Sequence, residues 1–231
     1  MTAYADETRM LLAAFRQKPA RPVDWNSRSR FEWQADSRRW SVQQSGMGKV
    51  RAASLCQQII DTSPVETFFE FGFAGGLVES MEIGDTVVIT GVSDHDAPNR
   101  SEIQQEQERE RTRLFAVSGA SIERFAAVLS ENRDIRVTQS TVVCGDMDIY
   151  DRALRDRIAA ESGAVAVTWE SSAIVDVCAL NNVRYVGVRL ISDLCVEADS
   201  GPIPAARLAR LRTATKAYVN ALIDFSEPQT T

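Results

Sequence analysis

The 231-residue chain has a single histidine, His95. One imidazole excludes HExxH metal sites and clustered histidine ligands. It also leaves a Ser-His-Asp triad with one possible base, and no GxSxG elbow accompanies it. Cysteine is scarce: Cys56, Cys144, Cys178 and Cys195 are far apart and form no CxxC pair. They read as reduced thiols of a cytoplasmic protein, against a disulfide framework or a zinc knuckle. No apolar run approaches the roughly 20 residues that a membrane helix needs. The opening MTAYADETRM holds acids early and no long apolar core, so no secretory leader is expected. Positive charge is not in excess either, and a net charge of −6 offers no general basic surface for nucleic acid. Chemistry is therefore expected to rest on carboxylates, hydroxyls and backbone amides.

What remains is an ordinary globular balance, 44% apolar and 25% charged, on a length that suits one large domain or two small ones. ETRMLLAAFRQ, from residue 7, places Met10, Leu11, Ala14 and Phe15 on one helical face. After a Pro-containing loop, RFEWQAD and RRWSVQQ read as two strands, with Ala35, Asp36 and Ser37 at a hairpin turn. SGMGKVRAASLCQQII is a Gly-rich turn opening onto a helix, VETFFEFGFAGGL a buried strand ending in a small-residue loop, and IGDTVVITGV a further strand. The charge-rich run from 99 to 113 reads as a solvated loop or exposed helix. ASIERFAAVLSEN is helical, and IRVTQSTVVCGD is a strand pair or one long strand. DRALRDRIAAESG is a helix with Gly163 as its C-cap, and AVAVTW a strand. ESSAIVDVCALNN is a helix, VRYVGVRLIS a strand, and the segment from Pro204 to Phe225 a long terminal helix. Alternation without repeat or linker predicts a single α/β domain around a largely parallel or mixed sheet.

Ligands of such sheets bind beyond the carboxyl ends of the strands. SGMGK, FGFAGGL and LISDLC are the loops expected there, and GMGK lacks the GxxxxGK[ST] pattern of a nucleotide-phosphate cradle. Asp193 follows an apolar strand and Glu170 follows AVTW, one at each end of a helix-strand unit. Taken singly, each reads equally as a cap or as a first-turn acid that suits the helix dipole.

Taken together, SGMGKVRAA, FGFAGGL, IGDTVV, HDA, GDMDI, WESSAI and VRLISD stand in an order and spacing that resemble the nucleoside phosphorylase-I superfamily. The resemblance is nearest to its hydrolytic branch, the methylthioadenosine/S-adenosylhomocysteine nucleosidases, and runs from about residue 30 to about residue 225. It implies one nucleosidase-like domain over residues 1–231, with a mixed central sheet flanked by helices. It implies hydrolysis of the N-ribosidic bond of a 5′-thio-substituted adenosine, with Asp193 delivering a proton toward purine N7, Glu170 on the ribose hydroxyls and Glu7 activating water. Ile149 would meet the base through its backbone, and Phe73, Ala74, Gly75, Asp148 and Trp169 would complete the substrate contacts. No metal or organic cofactor is implied. The partners implied are a small-molecule nucleoside and a second copy of the chain, with HDAPNRSEI as the contact, and neither nucleic acid nor membrane.

Several residues depart from the family pattern. Only MTAYAD precedes Glu7, so the family's first strand is short or missing. Phe73 stands at a position that is often small or hydroxylated. Asp148 replaces the aromatic that stacks on the purine, and Trp169 replaces a methionine at the ribose. Two other functions are kept beside the first: a phosphorylase, for which Arg51 and Arg189 are the available cations, and a diverged member that acts on, or only binds, another modified nucleoside such as futalosine.

Overall fold

A computed structural model describes residues 1–16, 30–35, 38–96, 101–197 and 203–225. The five apolar strand segments of the sequence become β3 (Thr67–Gly76), β4 (Thr86–Asp94), β5 (Val137–Cys144), β6 (Ala166–Thr168) and β7 (Arg184–Asp193). They form one mixed sheet in the order β3-β6-β5-β4-β7, and β7 pairs back with β3, so the sheet closes on itself. β3 and β7 run parallel, as do β4, β5 and β6, and the two groups meet antiparallel at β3/β6 and β4/β7. β7 is buried from Tyr185 to Ser192, which accounts for its nearly unbroken apolar run: a strand covered on both faces has no solvent side to mark with alternation.

Helices cover the sheet. Leu11 and Leu12 of α1 (Ala5–Ala14), Phe125 and Leu129 of α3 (Ser101–Ser130) and Leu211 and Tyr218 of α6 (Ala205–Asp224) share one core cluster with Phe71 and Leu190. α2 (Lys49–Thr62) and α5 (Ser171–Leu180) pack Ala52, Cys56, Ile174 and Cys178 against Val87 and Tyr185. α4 (Arg152–Ser162) closes a third cluster, in which Ile158 meets Ile149, Val167 and Cys195. Asp151 caps α4 by accepting the Leu154 N–H at 2.7 Å, and Gly163 ends it in the left-handed region at φ 68°, where a glycine carries no Cβ penalty. β1 (Arg30–Ala35) and β2 (Arg38–Gln43) pair antiparallel as a hairpin, and Asp36 and Ser37 of its expected turn lie outside the described residues. Among the described residues no helix is long and apolar enough to cross a membrane.

The structure sharpens these expectations and changes two of them, at FGFAGG and at Asp193. Of the charge-rich run, read as a solvated loop or exposed helix, residues 101–113 form the largely exposed opening turns of the 30-residue α3 and continue into the helix after it. Its Arg111 is buried and donates to Asp176 at 2.6 Å and to Asp94 at 2.8 Å, so a run that composition marks as solvated is anchored by one charge. FGFAGG is not a loop but the last part of β3, and Asp193 likewise still belongs to β7. Before α1 there is a short extended segment: Thr2 makes one parallel bridge with Gln44, and the Met1 carbonyl accepts the Phe71 N–H at 3.0 Å.

Candidate active site

Three strands meet at Gly75. It pairs with Asp193 of β7 on one side and Val167 of β6 on the other, next to a register shift between Ala74 and Gly75. Such a shift re-aims side chains at a strand end. A Cβ on Gly75 would overlap the Cys195 thiol and stand 3.0 Å from Asp193 Oδ1, so the close approach of these strands requires glycine.

Beside this junction lies a cavity of about 330 Å³, large enough for a small molecule. Glu7, Glu170 and Asp193 all line it, brought from α1, from the N-cap of α5 and from the end of β7. Glu7 is buried, with Oε2 accepting the N–H groups of Ala3 at 2.9 Å and Tyr4 at 2.8 Å, and Oε1 accepting that of Phe73 at 2.7 Å. Burial pushes its carboxyl above the ordinary glutamate value, against the pull of Arg189 and of those three N–H groups. Glu170 is also buried and accepts the Gly48 N–H at 3.1 Å, which ties the SGMGK turn to α5. Burial pushes Glu170 up to about 7; Arg189 and the Gly48 N–H pull the other way, while Glu7 and Glu70 add to the rise. Gly48 sits at φ 94°, a conformation that favours glycine, and so brings its N–H to the carboxylate.

Asp193 is half-buried. Its Oδ2 accepts from Ser192 Oγ at 2.8 Å and its Oδ1 accepts the Cys195 N–H at 3.1 Å. Ile149, buried, and Asp148, exposed, come from the loop after β5, while Phe73 and Trp169 are both half-buried at the wall. Ala74 and Gly75 complete the β3 side. All nine residues picked out from the sequence thus face one cavity. Phe73 and Trp169 narrow it with bulky rings, and Tyr4, Thr168, Ser192 and Cys195 are further lining residues to which the sequence reading gave no individual part in the site. His95 is not among the lining residues: its ring packs where a Gly145 side chain would stand. Among the described residues no group of three or more His, Cys, Asp or Glu is placed to hold a metal ion.

Sequence reasoning weighed Arg189 only as a cation for phosphate and passed over its partner Glu70, the group behind the acids. Arg189, at the centre of β7 and 1% exposed, donates through Nη2 to Glu70, to Ser171 Oγ at 3.0 Å and to Glu170 at 3.4 Å, and through Nη1 to the Phe73 carbonyl at 3.2 Å. Glu70 of β3 accepts from Tyr185 as well, and from Ser171 Oγ at 3.1 Å. The signal was present: one charge inside each of two otherwise apolar strands, which burial permits only when the charges are paired and hydrogen-bonded. Arg51, the other cation considered for an anion site, is exposed on α2.

Gly72 leaves room for this arrangement, because a Cβ there would overlap the Arg189 guanidinium and lie 2.9 Å from Glu7 Oε1. Gly72→Ala is expected to destabilise the fold by about 1–3 kcal/mol through overpacking, read from chemical denaturation. Unchanged stability would mean that the two charged side chains have slack.

A family model described as the phosphorylase superfamily matches residues 9–224. The chain belongs to the phosphorylase superfamily. This superfamily member is 32% identical over 155 residues to the 5′-methylthioadenosine/S-adenosylhomocysteine nucleosidase of Staphylococcus aureus, an alignment covering 66% of the chain and 68% of the relative. Its fold is similar to that of the nucleosidase of the same name from Neisseria meningitidis, solved with methylthio-immucillin-A, with TM-score 0.75, 21% identity and 96% of both chains covered. It is also similar to the futalosine hydrolase of Helicobacter pylori, with TM-score 0.70, 16% identity and 96% of both chains covered. Within the superfamily the chain stands with the nucleosidases, and its enzyme class is that of the N-glycosyl hydrolases.

Proposed function

We propose that the protein hydrolyses the N-ribosidic bond of a 5′-thio-substituted adenosine, methylthioadenosine or S-adenosylhomocysteine, and releases adenine. The observation that carries the reading is a single cavity lined by the buried Glu7 and Glu170 and by Asp193. Cleaving a C–N bond to a sugar leaves positive charge on the ribose and negative charge on the base, the same separation met in glycoside hydrolysis. A carboxylate fixed beside the ribose compensates the first charge in a site where water cannot screen it. In this reading Glu170 holds the ribose hydroxyls and stabilises the developing cation. Glu7, its two oxygens aimed by three backbone N–H groups, takes a proton from the attacking water. Asp193 supplies a proton at N7, so that the purine leaves as a neutral base.

The geometry favours water over phosphate as nucleophile. Among the described residues no lysine, arginine or histidine lines the cavity, and the guanidinium behind it, Arg189, is already held by Glu70, Glu170 and Ser171. An oxyanion needs converging free donors, and here it would meet carboxylates. The experiment is adenine release from methylthioadenosine and S-adenosylhomocysteine, with and without phosphate. Equal rates in both buffers are expected; no release from either nucleoside, with enzyme and substrate near equal amounts, overturns the reading.

A pH dependence follows from Glu170, which is pushed up to about 7. Below that value the carboxyl is protonated and neutral, and above it the carboxylate faces the ribose. kcat/KM is therefore expected to fall as pH is lowered through neutrality, measured as a pH–rate profile of adenine release. A flat profile there would remove Glu170 from the role given to it.

The reading extends to a single cytoplasmic domain that works as a homodimer. Met47, Met147 and Tyr150 stand at the cavity with 41%, 42% and 37% of their surface exposed, an apolar rim that a second copy would cover. Residues 97–100 of the expected contact segment lie outside the described residues. A dimer mass by light scattering is expected, and a monomer at assay concentration would oppose it.

A further inference from the structure

Three carboxylates face one guanidinium at this site: Glu7, Glu170 and Glu70. The mechanism above uses the first two, and Glu70 does not line the cavity. Glu70 is 2% exposed and accepts from Arg189, Tyr185 and Ser171 at once. Three donors on one carboxylate fix its orientation.

We propose that Glu70 is a positioning residue for the N-glycosidic reaction: it clamps the Arg189 guanidinium in the one orientation that reaches both Glu170 and the Phe73 carbonyl. The connections are direct. Nη2 of Arg189 is shared among Glu70, Ser171 and Glu170, while Nη1 holds the Phe73 carbonyl at 3.2 Å. Phe73 in turn donates its own N–H to Glu7 at 2.7 Å. Both acids on the ribose side are thereby referenced to one guanidinium. Ser171 couples the clamp to α5, because it follows Glu170 directly and donates to Glu70. Without Glu70, Arg189 loses its strongest anchor and is free to swing toward Glu7 or Glu170, displacing the carboxylates it now aligns.

Glu70 also adds negative charge beside Glu170, which raises the proton affinity of the latter. The other ionisable groups packed around the clamp are Glu7 from α1, Cys56 from α2, Cys178 from α5, Tyr185 within β7, Tyr218 from α6 and the amino group of Met1. Removing the charge at position 70 favours the ionised form of Glu170, so the acid limb of the pH profile moves toward lower pH.

The inference rests on the nucleosidase reading, and its test separates the two. Adenine release from methylthioadenosine by the unmodified protein comes first: none would fail the reading itself. Glu70→Ala and Glu70→Gln are then compared with it for kcat, KM and the pH profile, with circular dichroism to verify folding. Glu70→Ala is expected to lose ~10–100-fold in kcat, as small misplacements of catalytic groups do, with KM changed far less. Glu70→Gln keeps an oxygen for Arg189, so it recovers part of kcat, and its acid limb lies at lower pH than that of the unmodified protein. Wild-type kcat and an unmoved acid limb in both variants would overturn the proposal. So would equal losses in both with the limb in place, the behaviour of a purely structural residue. Should Glu70→Ala not fold, the limb of Glu70→Gln decides.

Discussion

Asp193→Asn is expected to lower kcat by ~10²–10⁴-fold, the usual worth of a positioned general acid, in a protein that still folds. The side chain sits where β7 ends beside Gly75, and its two oxygens are engaged by Ser192 Oγ and the Cys195 N–H. An asparagine keeps the shape and one carbonyl oxygen, which can still accept from the Cys195 N–H. The Ser192 hydroxyl has an alternative acceptor in the Ala74 carbonyl at 3.3 Å, so the local structure has little reason to move. What the amide cannot do is hold a proton for the departing purine. The effect should therefore fall on kcat, and it should shrink for a nucleoside whose base leaves readily without protonation. Steady-state kinetics on methylthioadenosine and on such an activated nucleoside check this. An equal loss on both would mean that Asp193 binds the base without donating to it.

Glu170→Gln is expected to cost ~10²–10³-fold in kcat, the magnitude seen when one preorganised electrostatic contact to the transition state is removed. Glutamine retains an oxygen for the Gly48 N–H, so the SGMGK turn stays docked against α5. It loses the negative charge that the proposed function sets against the ribose and that Arg189 reaches at 3.4 Å. Because the group titrating near 7 is then gone, the acid limb assigned to Glu170 should vanish along with most of the rate. A variant that is slow but keeps that limb would move the titration to Glu7, the other buried carboxyl with a raised pKa.

The sequence made the order of elements readable because burial leaves different periods in strands and helices. β7 announced itself as an apolar run, α4 by its Gly163 stop, and the terminal helix by its long stretch without a glycine or proline after Pro204. Closure of the sheet was not readable. It depends on β6, only three residues long, bridging β3 and β5, and pairings that short leave no periodicity. Nor was the unity of α3, whose first turns are exposed and whose anchor, Arg111, finds Asp94 and Asp176 from distant segments. The cavity acids were found through motif order rather than through any local pattern, since Glu170 and Asp193 each have an ordinary capping explanation. Glu70, and the pairing that gives Arg189 its place, escaped because a charge within an apolar strand looks like an interruption until its partner on the neighbouring strand is known.

The account stands on two acids acting together across one bound nucleoside. Its most direct test is the rate of adenine release from methylthioadenosine in phosphate-free buffer by the wild-type protein beside the double variant E170Q/D193N. The account predicts release by the wild type and a loss of more than ~10³-fold in a folded double variant, with the two effects less than additive if the groups act as a unit. Release at the wild-type rate by the double variant, or none from the wild type at stoichiometric enzyme, would contradict it.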